Sequence, residues 1–178
     1  KRYKKAQTDD IPAMDQLGTW LEAQQPKEDR AAFIHNDYKY DNLVLNPDNP
    51  SEILAVLDWE MATVGHPFMD LGTTLCYWCE ATDSDVLKYF NLTWMPGNLT
   101  RQEVVAYYEE LTGQEVTNQL FYYAFGLYKL AVIAQQIYAR YKKGYTNDER
   151  FGMLIFGVHA CADTAQKAIK LDRIGNLS

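Results

Sequence analysis

A polar segment placed beside two strand-like runs constrains the fold of this chain more than any other feature. The segment 35–42 reads His-Asn-Asp-Tyr-Lys-Tyr-Asp-Asn, and apolar residues follow it at 43–45 and again at 53–57, where the run ends at Asp58. Proline, asparagine and aspartate between the two apolar runs are typical of a turn, so the pattern predicts a β-hairpin. Because antiparallel strands return the chain to its starting end, the hairpin would bring Asn42 and Asp58 together.

The order of the polar side chains is that of a phosphoryl-transfer site. His35, Asp37, Asn42 and Asp58 follow one another as the corresponding residues do in protein kinases. Phosphoryl transfer concentrates negative charge on oxygens, and the Mg²⁺ that neutralises it binds carboxylate and amide oxygens together with phosphate. We therefore predict that Asn42 and Asp58 bind Mg²⁺. Asp37 is predicted to accept or orient the proton of the attacking hydroxyl, while His35 braces the loop.

Each of these residues also has an ordinary structural interpretation. A single Asp or Asn in a loop is more often a turn former or a helix cap, because its short polar side chain bonds to nearby backbone groups. All of them in this order, beside two apolar runs, favour the functional interpretation.

Composition and charge argue against several classes of function. The chain of 178 residues is the size of one domain, and we expect residues 1–178 to form a single domain. The net charge of −7 argues against nucleic acid or a membrane surface as a partner. The three cysteines, Cys76, Cys79 and Cys161, do not make an even disulfide set, which favours a cytoplasmic location. We interpret the Cys76 and Cys79 pair as core packing rather than as a redox or zinc motif.

The rest of the chain has helical periodicity. Apolar residues at three- and four-residue spacing after Pro12 predict a short helix that ends before Pro26. The predicted fold class is therefore α+β, mainly α-helical, with a small β-hairpin that carries the chemistry. The other predicted helices span residues 68–78, 101–111, 118–143 and 151–169.

Segment 33–72 resembles the aminoglycoside phosphotransferase and choline kinase family. It looks most similar to the phosphotransferase domains of the subgroup associated with acyl-CoA dehydrogenases, and segment 130–141 is also similar to that subgroup. The resemblance implies the C-terminal lobe of a protein-kinase-like fold and transfer of phosphate from ATP, with Mg²⁺, to a hydroxyl of a small molecule. The implied acceptor is aminoglycoside-, choline- or hydroxyacyl-like. The residues that carry the resemblance are 35–37, 41–42, 57–60 and 65–72.

The resemblance also implies roles for individual residues. The catalytic base of the family corresponds to Asp37, and its magnesium ligands correspond to Asn42 and Asp58. The family's stabiliser of the catalytic loop corresponds to Asp70. Lys39 stands where protein Ser/Thr kinases place a lysine that contacts phosphate, so it is a candidate phosphate contact.

Aromatic and acidic residues around the loop are candidates for the wall of an acceptor pocket. The first candidates are Trp59, Glu60, Tyr77 and Trp78. An aromatic cage would favour a quaternary ammonium group, and an acidic wall would favour an aminoglycoside. For any single aromatic residue, ordinary core packing is the more frequent role. Further candidates are Tyr122, Tyr123 and Tyr128 and, among acidic residues, Glu80 and Asp83.

A complete kinase-like enzyme also has an N-terminal lobe with a glycine-rich loop and a strand lysine. The residues before His35 contain neither feature. We therefore expect this chain to be the C-terminal catalytic lobe, with the missing N-terminal nucleotide-binding lobe of the same protein as its partner, and we expect the isolated fragment to be inactive. Two alternatives stay open: a non-catalytic, pseudokinase-like interaction module and a metal-dependent hydrolase. The joint presence of Asp37, Asn42 and Asp58 argues against the first, and the second would need further metal ligands.

Overall fold

Helices form most of the protein, and four short strands lie between the second and third helices. The computed structural model describes residues 1–27 and 30–177. The strands are β1 (Ala32–Ile34), β2 (Leu43–Asn46), β3 (Asn49–Val56) and β4 (Thr63–Gly65). The helices are α1 (Arg2–Ala6), α2 (Pro12–Ala23), α3 (Pro67–Tyr77), α4 (Asp85–Lys88), α5 (Arg101–Thr112), α6 (Gln119–Lys142) and α7 (Leu154–Leu171).

The core lies where α6 packs between α3 and α7. Ala124, Leu127 and Ala131 recur at three- and four-residue spacing on α6, so they share one face of the helix, and all three are completely buried. Leu75 of α3 and Val158 of α7 belong to the same core. The long helix α6 is therefore the central support against which the elements around the polar loop are placed.

Two glycines allow α3 and α6 to meet backbone to backbone. A Cβ atom built on Gly72 would lie 2.3 Å from the carbonyl oxygen of Tyr122, and one built on Gly126 would lie 2.4 Å from the carbonyl oxygen of Gly72. Both distances are far shorter than a van der Waals contact. Hydrogen in place of a side chain is thus what allows this close helix crossing.

The strands form two separate antiparallel pairs. In the predicted hairpin, Leu43 of β2 lies opposite Val56 of β3, and the turn is shorter than expected because β3 already begins at Asn49. The pairing of β1 with β4, in which Ile34 lies opposite Thr63, was not predicted. Strands of three residues are too short to show the alternation that identifies a strand in a sequence.

The fold class predicted from the sequence is confirmed: the protein is mainly α-helical with small two-stranded sheets. The predicted helices are present, with ends that differ by a few residues. Helices α1 and α4 were missed because each has too few residues for a periodic pattern. The last helix begins at Leu154 rather than near residue 151, because Glu149–Met153 form a 3₁₀ turn. Within residues 1–27 and 30–177, no helix has both the length and the apolar character needed to cross a bilayer.

Candidate functional site

The polar loop at residues 35–37 is attached to the first turn of α3. The Asp70 carboxylate accepts the backbone N–H of His35 at 2.8 Å through Oδ2 and that of Asn36 at 2.6 Å through Oδ1. Hydrogen bonds to an ionised acceptor are stronger than those between neutral groups. The loop is therefore fixed to a helix whose own position is set by the close crossing with α6.

A lysine on α6 also reaches this loop. Lys129 Nζ donates to the backbone carbonyl of Asn36, to Asn36 Oδ1 at 2.7 Å and to Thr73 Oγ1 at 3.4 Å. Burial lowers the pKa of the Lys129 ammonium group. No motif in the sequence singles out Lys129; the only signal is a charged residue within the apolar pattern of a long helix.

The carboxylate of Asp37 is buried and receives hydrogen bonds on both oxygens. The Tyr77 hydroxyl donates to Oδ1 at 2.8 Å, and Asn42 Nδ2 donates to Oδ2 at 3.0 Å. Lys39 Nζ lies 3.5 Å from Oδ2. Burial raises the pKa of the Tyr77 hydroxyl, so Tyr77 remains a proton donor to Asp37 at neutral pH. The fold thus places Asp37, Lys39, Asn42 and Tyr77 together.

The hairpin brings Asn42 and Asp58 to the same end. The N–H of Leu57 donates to the backbone oxygen of Asn42 at 2.8 Å, so Asp58 follows one residue beyond this link. Asp58 is exposed and has a left-handed backbone with φ of 61°. Asn42 uses its side-chain nitrogen to bond Asp37, so its amide oxygen is not engaged in that contact. An amide oxygen and a carboxylate are a donor set that fits Mg²⁺.

A cluster of three or more His, Cys, Asp and Glu side chains able to hold a metal is absent from residues 1–27 and 30–177. A magnesium site completed by phosphate oxygens and water does not need such a cluster, since Mg²⁺ commonly takes only one or two protein carboxylates. The donor set at Asn42 and Asp58 is of this sparse kind.

His35 connects the loop to the end of the hairpin. Its Nδ1 accepts the N–H of Asp37 at 3.2 Å, so the proton is assigned to Nε2, which lies 2.7 Å from the backbone oxygen of Leu57. The ring also makes an edge contact with Trp59, with ring centroids 4.7 Å apart. Trp59 in turn stacks on Phe33. These contacts hold together the two ends of the candidate site.

A cavity of about 230 Å³ is lined in part by Tyr77 and Lys39, two residues whose side chains lie close to the Asp37 carboxylate. Lys39, Asp41 and Tyr77 line one part of it, and Tyr77 is the first-choice pocket candidate that lies there. The sequence did not identify the residues of α6 and α7 that complete the wall, because these helices are far from the loop in the chain. The apolar lining comes from α3 and the loop after it, from α4 and the residues after it, and from α6 and α7: Cys76, Cys79, Leu87, Phe90, Leu130, Ala134, Leu154 and Cys161.

The other first-choice candidates lie outside this lining. Trp78 donates its indole N–H to the backbone oxygen of Leu99 at 2.7 Å and packs against Tyr40. Trp59 contacts His35, as described above, and Glu60 follows it in an exposed 3₁₀ turn, Trp59–Met61. Trp59, Glu60 and Trp78 therefore lie near the polar loop but do not line the cavity.

The more distant pocket candidates belong to the core. Glu80 and Asp83 both pair with the buried guanidinium of Arg101, at 3.3 and 2.6 Å, so these carboxylates are not an acidic acceptor wall. Tyr123 is completely buried. Tyr122 and Tyr128 line a different cavity, on the α2 side of the bundle. These residues therefore lie away from the cavity next to Tyr77, because a tyrosine or an acid within a helical pattern can equally face the core or another surface.

The three cysteines are free and buried, as expected for core positions. Burial raises the pKa of the Cys79 and Cys161 thiols from 9.0 to about 12. Between pH 9 and about pH 12 the unfolded chain loses the thiol proton while the folded chain keeps it. The contribution of the buried thiol to the free energy of unfolding is therefore fully present below pH 9 and is lost as the pH rises towards 12.

We expect the Cys161→Ala variant to lose less stability in alkali than the unchanged chain. At about pH 10.5, titration of Cys161 should destabilise the fold by about 2 kcal/mol relative to neutral pH, and the variant lacks this contribution. Urea unfolding of both chains at neutral and alkaline pH measures the difference. Equal pH dependence in the two chains would contradict the assignment.

Comparisons with known proteins agree with this geometry. Residues 1–104 match the model of the family described as the phosphotransferase enzyme family. Acyl-CoA dehydrogenase family member 11 of Gallus gallus is 36% identical over 155 residues, covering 84% of this chain and 20% of that protein. Family member 10 of Mus musculus is 35% identical over 150 residues, covering 79% of this chain and 13% of that protein. The chain thus spans about a fifth or less of these curated relatives.

A solved structure has the same architecture. The crystal structure of a Ralstonia eutropha JMP134 protein, assigned as an aminoglycoside phosphotransferase, aligns with a TM-score of 0.79 and 31% sequence identity. The alignment covers 93% of this chain and 52% of that one.

Proposed function

Because this chain belongs to the phosphotransferase enzyme family and has its kinase-like fold, we propose that it is the catalytic lobe of an ATP- and Mg²⁺-dependent kinase acting on a small-molecule hydroxyl. The observation that carries the proposal is the buried Asp37 carboxylate. Asn42 and Tyr77 hold it in a single orientation, and Tyr77 also lines the cavity of about 230 Å³. Proton transfer from an acceptor hydroxyl requires a carboxylate that is fixed in this way.

In this proposal Asp37 accepts or orients the proton of the acceptor hydroxyl. The hydroxyl oxygen then forms a bond to the γ-phosphorus of ATP, and the bond from that phosphorus to the bridging oxygen of the β-phosphate breaks. Asn42 and Asp58 would hold Mg²⁺, which supplies positive charge to the phosphate oxygens. Lys39, close to Asp37, would contact the transferred phosphate, and His35 and Asp70 would keep the loop in place.

The cavity lined by Tyr77 and Lys39 favours an acceptor with an apolar body. Apolar side chains and thiols form most of its lining, and Lys39 and Asp41 bring one charge of each sign. An amino sugar carries several positive charges that call for acidic partners. A quaternary ammonium group calls for an aromatic cage, whereas the two aromatic rings of this lining, Tyr77 and Phe90, share it with the Lys39 ammonium, which repels a cation. Among the three acceptor classes, a hydroxyacyl-like molecule therefore matches this lining best.

We also propose that a further lobe of the same protein contributes to the nucleotide site. Ile53 and Leu54 of β3 and Leu57, which follows that strand, are each about half exposed, at 48%, 55% and 48%. An exposed apolar surface of this kind marks a contact site. The much greater length of the curated relatives supports the same proposal, and the free cysteines support a cytoplasmic location.

The function is tested by transfer of labelled γ-phosphate from ATP to a hydroxyacyl thioester, choline and an amino sugar. The longest form of the protein that contains this chain should phosphorylate the hydroxyacyl thioester in the presence of Mg²⁺. Asp37→Asn should lower the rate by about 100-fold or more, because general-base catalysis contributes that much. Asp48→Asn, an identical change in the exposed hairpin turn, is the matched control and should have no effect.

Two results would contradict the proposal. Transfer that continues unchanged in Asp37→Asn would show that Asp37 is not the base. Absence of both nucleotide binding and transfer would instead favour a non-catalytic interaction module.

A further inference from the structure

The left-handed residue before Asp37 is held by opposite charges on two helices. Asn36 has a φ of 67°, which is uncommon for a residue with a side chain. Its backbone N–H donates a hydrogen bond to the Asp70 carboxylate on α3. Its carbonyl oxygen and its side-chain oxygen accept hydrogen bonds from the Lys129 ammonium on α6. Both oxygens of Asn36 therefore meet the same cation, while its side-chain nitrogen donates to the backbone oxygen of Met61 at 3.3 Å.

We propose that Lys129 is a positioning residue for Asp37. The carbonyl of Asn36 and the N–H of Asp37 belong to one planar peptide group, so a bond that fixes the carbonyl also fixes the direction of the N–H. That N–H donates to His35 Nδ1 at 3.2 Å. The orientation of the backbone from which the Asp37 side chain extends thus depends on a cation 93 residues away in the sequence.

The burial of Lys129 supports this role over simple packing. An ammonium group that leaves water loses its favourable hydration. An apolar side chain of similar length has no such hydration to lose. The lowered pKa of Lys129 shows that this loss outweighs the attraction of nearby acids. The hydrogen bonds of Lys129 go to Asn36 and, more weakly, to Thr73 of α3, so its charge acts on the loop and the helix beneath it.

This proposal rests on the proposed function only because it takes Asp37 as the catalytic base. Its main test does not depend on phosphotransfer activity. In the Lys129→Met variant, the backbone amides of residues 35–37 should exchange hydrogen about 10- to 100-fold faster than in the unchanged chain. A change of this size corresponds to the loss of one charge-assisted hydrogen bond. Exchange in the core of α7 should be unchanged. Lys142→Met, the same change at an exposed position of α6, is the matched control and should leave residues 35–37 as they are.

Rescue by a conservative variant separates positioning by charge from packing alone. Lys129→Arg should keep most of the protection at residues 35–37 because it keeps a cation within reach of Asn36. If Lys129→Met does not fold, Asn36→Gly serves instead: glycine tolerates the left-handed backbone but lacks the side-chain oxygen, so the same amides should exchange faster.

Three results would overturn the proposal. They are unchanged exchange at residues 35–37 in Lys129→Met and Asn36→Gly, equal acceleration in the loop and in α7, and a Lys129→Arg chain that exchanges as fast as Lys129→Met. In the transfer assay, Lys129→Met should lower kcat and leave the KM for ATP unchanged. A wild-type protein without transfer would count against the proposed function, whereas the exchange result would still decide the role of Lys129.

Discussion

Gly126→Ala is expected to destabilise the protein by more than about 4 kcal/mol, which is at the upper end for a single substitution. The added Cβ would lie 2.4 Å from the carbonyl oxygen of Gly72, inside the 3.0 Å below which something must shift. The obstructing atom is backbone, so no side chain can rotate away. Relief requires α3 and α6 to separate, which opens the core between these two helices.

The chain offers a matched control for this substitution. Gly157 lies within α7, and a Cβ built on it meets no atom within 4 Å. Gly157→Ala should therefore leave stability unchanged or raise it by up to about 1 kcal/mol, since alanine is the better helix former. Urea unfolding followed by circular dichroism compares the two variants.

The effect should also reach the candidate site. Asp70 and Tyr77 lie on α3, and Lys129 lies on α6, one turn beyond Gly126. Any Gly126→Ala protein that still folds should have weaker protection of residues 35–37 against hydrogen exchange. Equal stability of Gly126→Ala and Gly157→Ala would show that the close crossing does not hold the fold together.

Arg101→Met is expected to destabilise the protein by about 3–5 kcal/mol, because it leaves buried acids without their counter-ion. The Arg101 guanidinium is 1% exposed and bonds both oxygens of Asp83, at 2.6 and 2.9 Å. It also lies 3.3 Å from Glu80. This cluster connects the start of α5 to the loop after α3, so its loss should loosen the end of α3 that carries Tyr77.

Two variants show whether the unpaired buried charge is the cause. Arg101→Met with Asp83→Leu removes both members of the pair and should recover part of the stability, since an apolar pair of similar volume does not leave a bare carboxylate. Arg150→Met breaks an ion pair of the same type, with Asp148 at 2.6 Å, on the surface. That variant should scarcely change the midpoint of denaturation. A double variant less stable than Arg101→Met, or an equal loss in Arg150→Met, would contradict this explanation.

Local patterns in the sequence predicted much of the architecture and part of the site. Helical periodicity predicted α2, α6 and α7, since a helix that packs on one face must repeat its apolar residues every three or four positions, and boundary residues such as Pro67 and Gly113 indicated α3 and α5. Turn-forming residues between two apolar runs predicted the hairpin, and antiparallel pairing then required Asn42 and Asp58 to approach each other. These inferences succeed because the relevant interactions join residues close together in the chain.

The contacts around Asp37 were decided by the tertiary structure. Tyr77 was a candidate for the pocket wall, yet its hydrogen bond to Asp37 spans 40 residues, and the contact of Lys129 with Asn36 spans 93. The cavity likewise depends on how α6 and α7 pack against α3. No local periodicity encodes which side chains meet across such distances. They meet because two glycines let α3 and α6 approach, and that approach is a property of the packed helices.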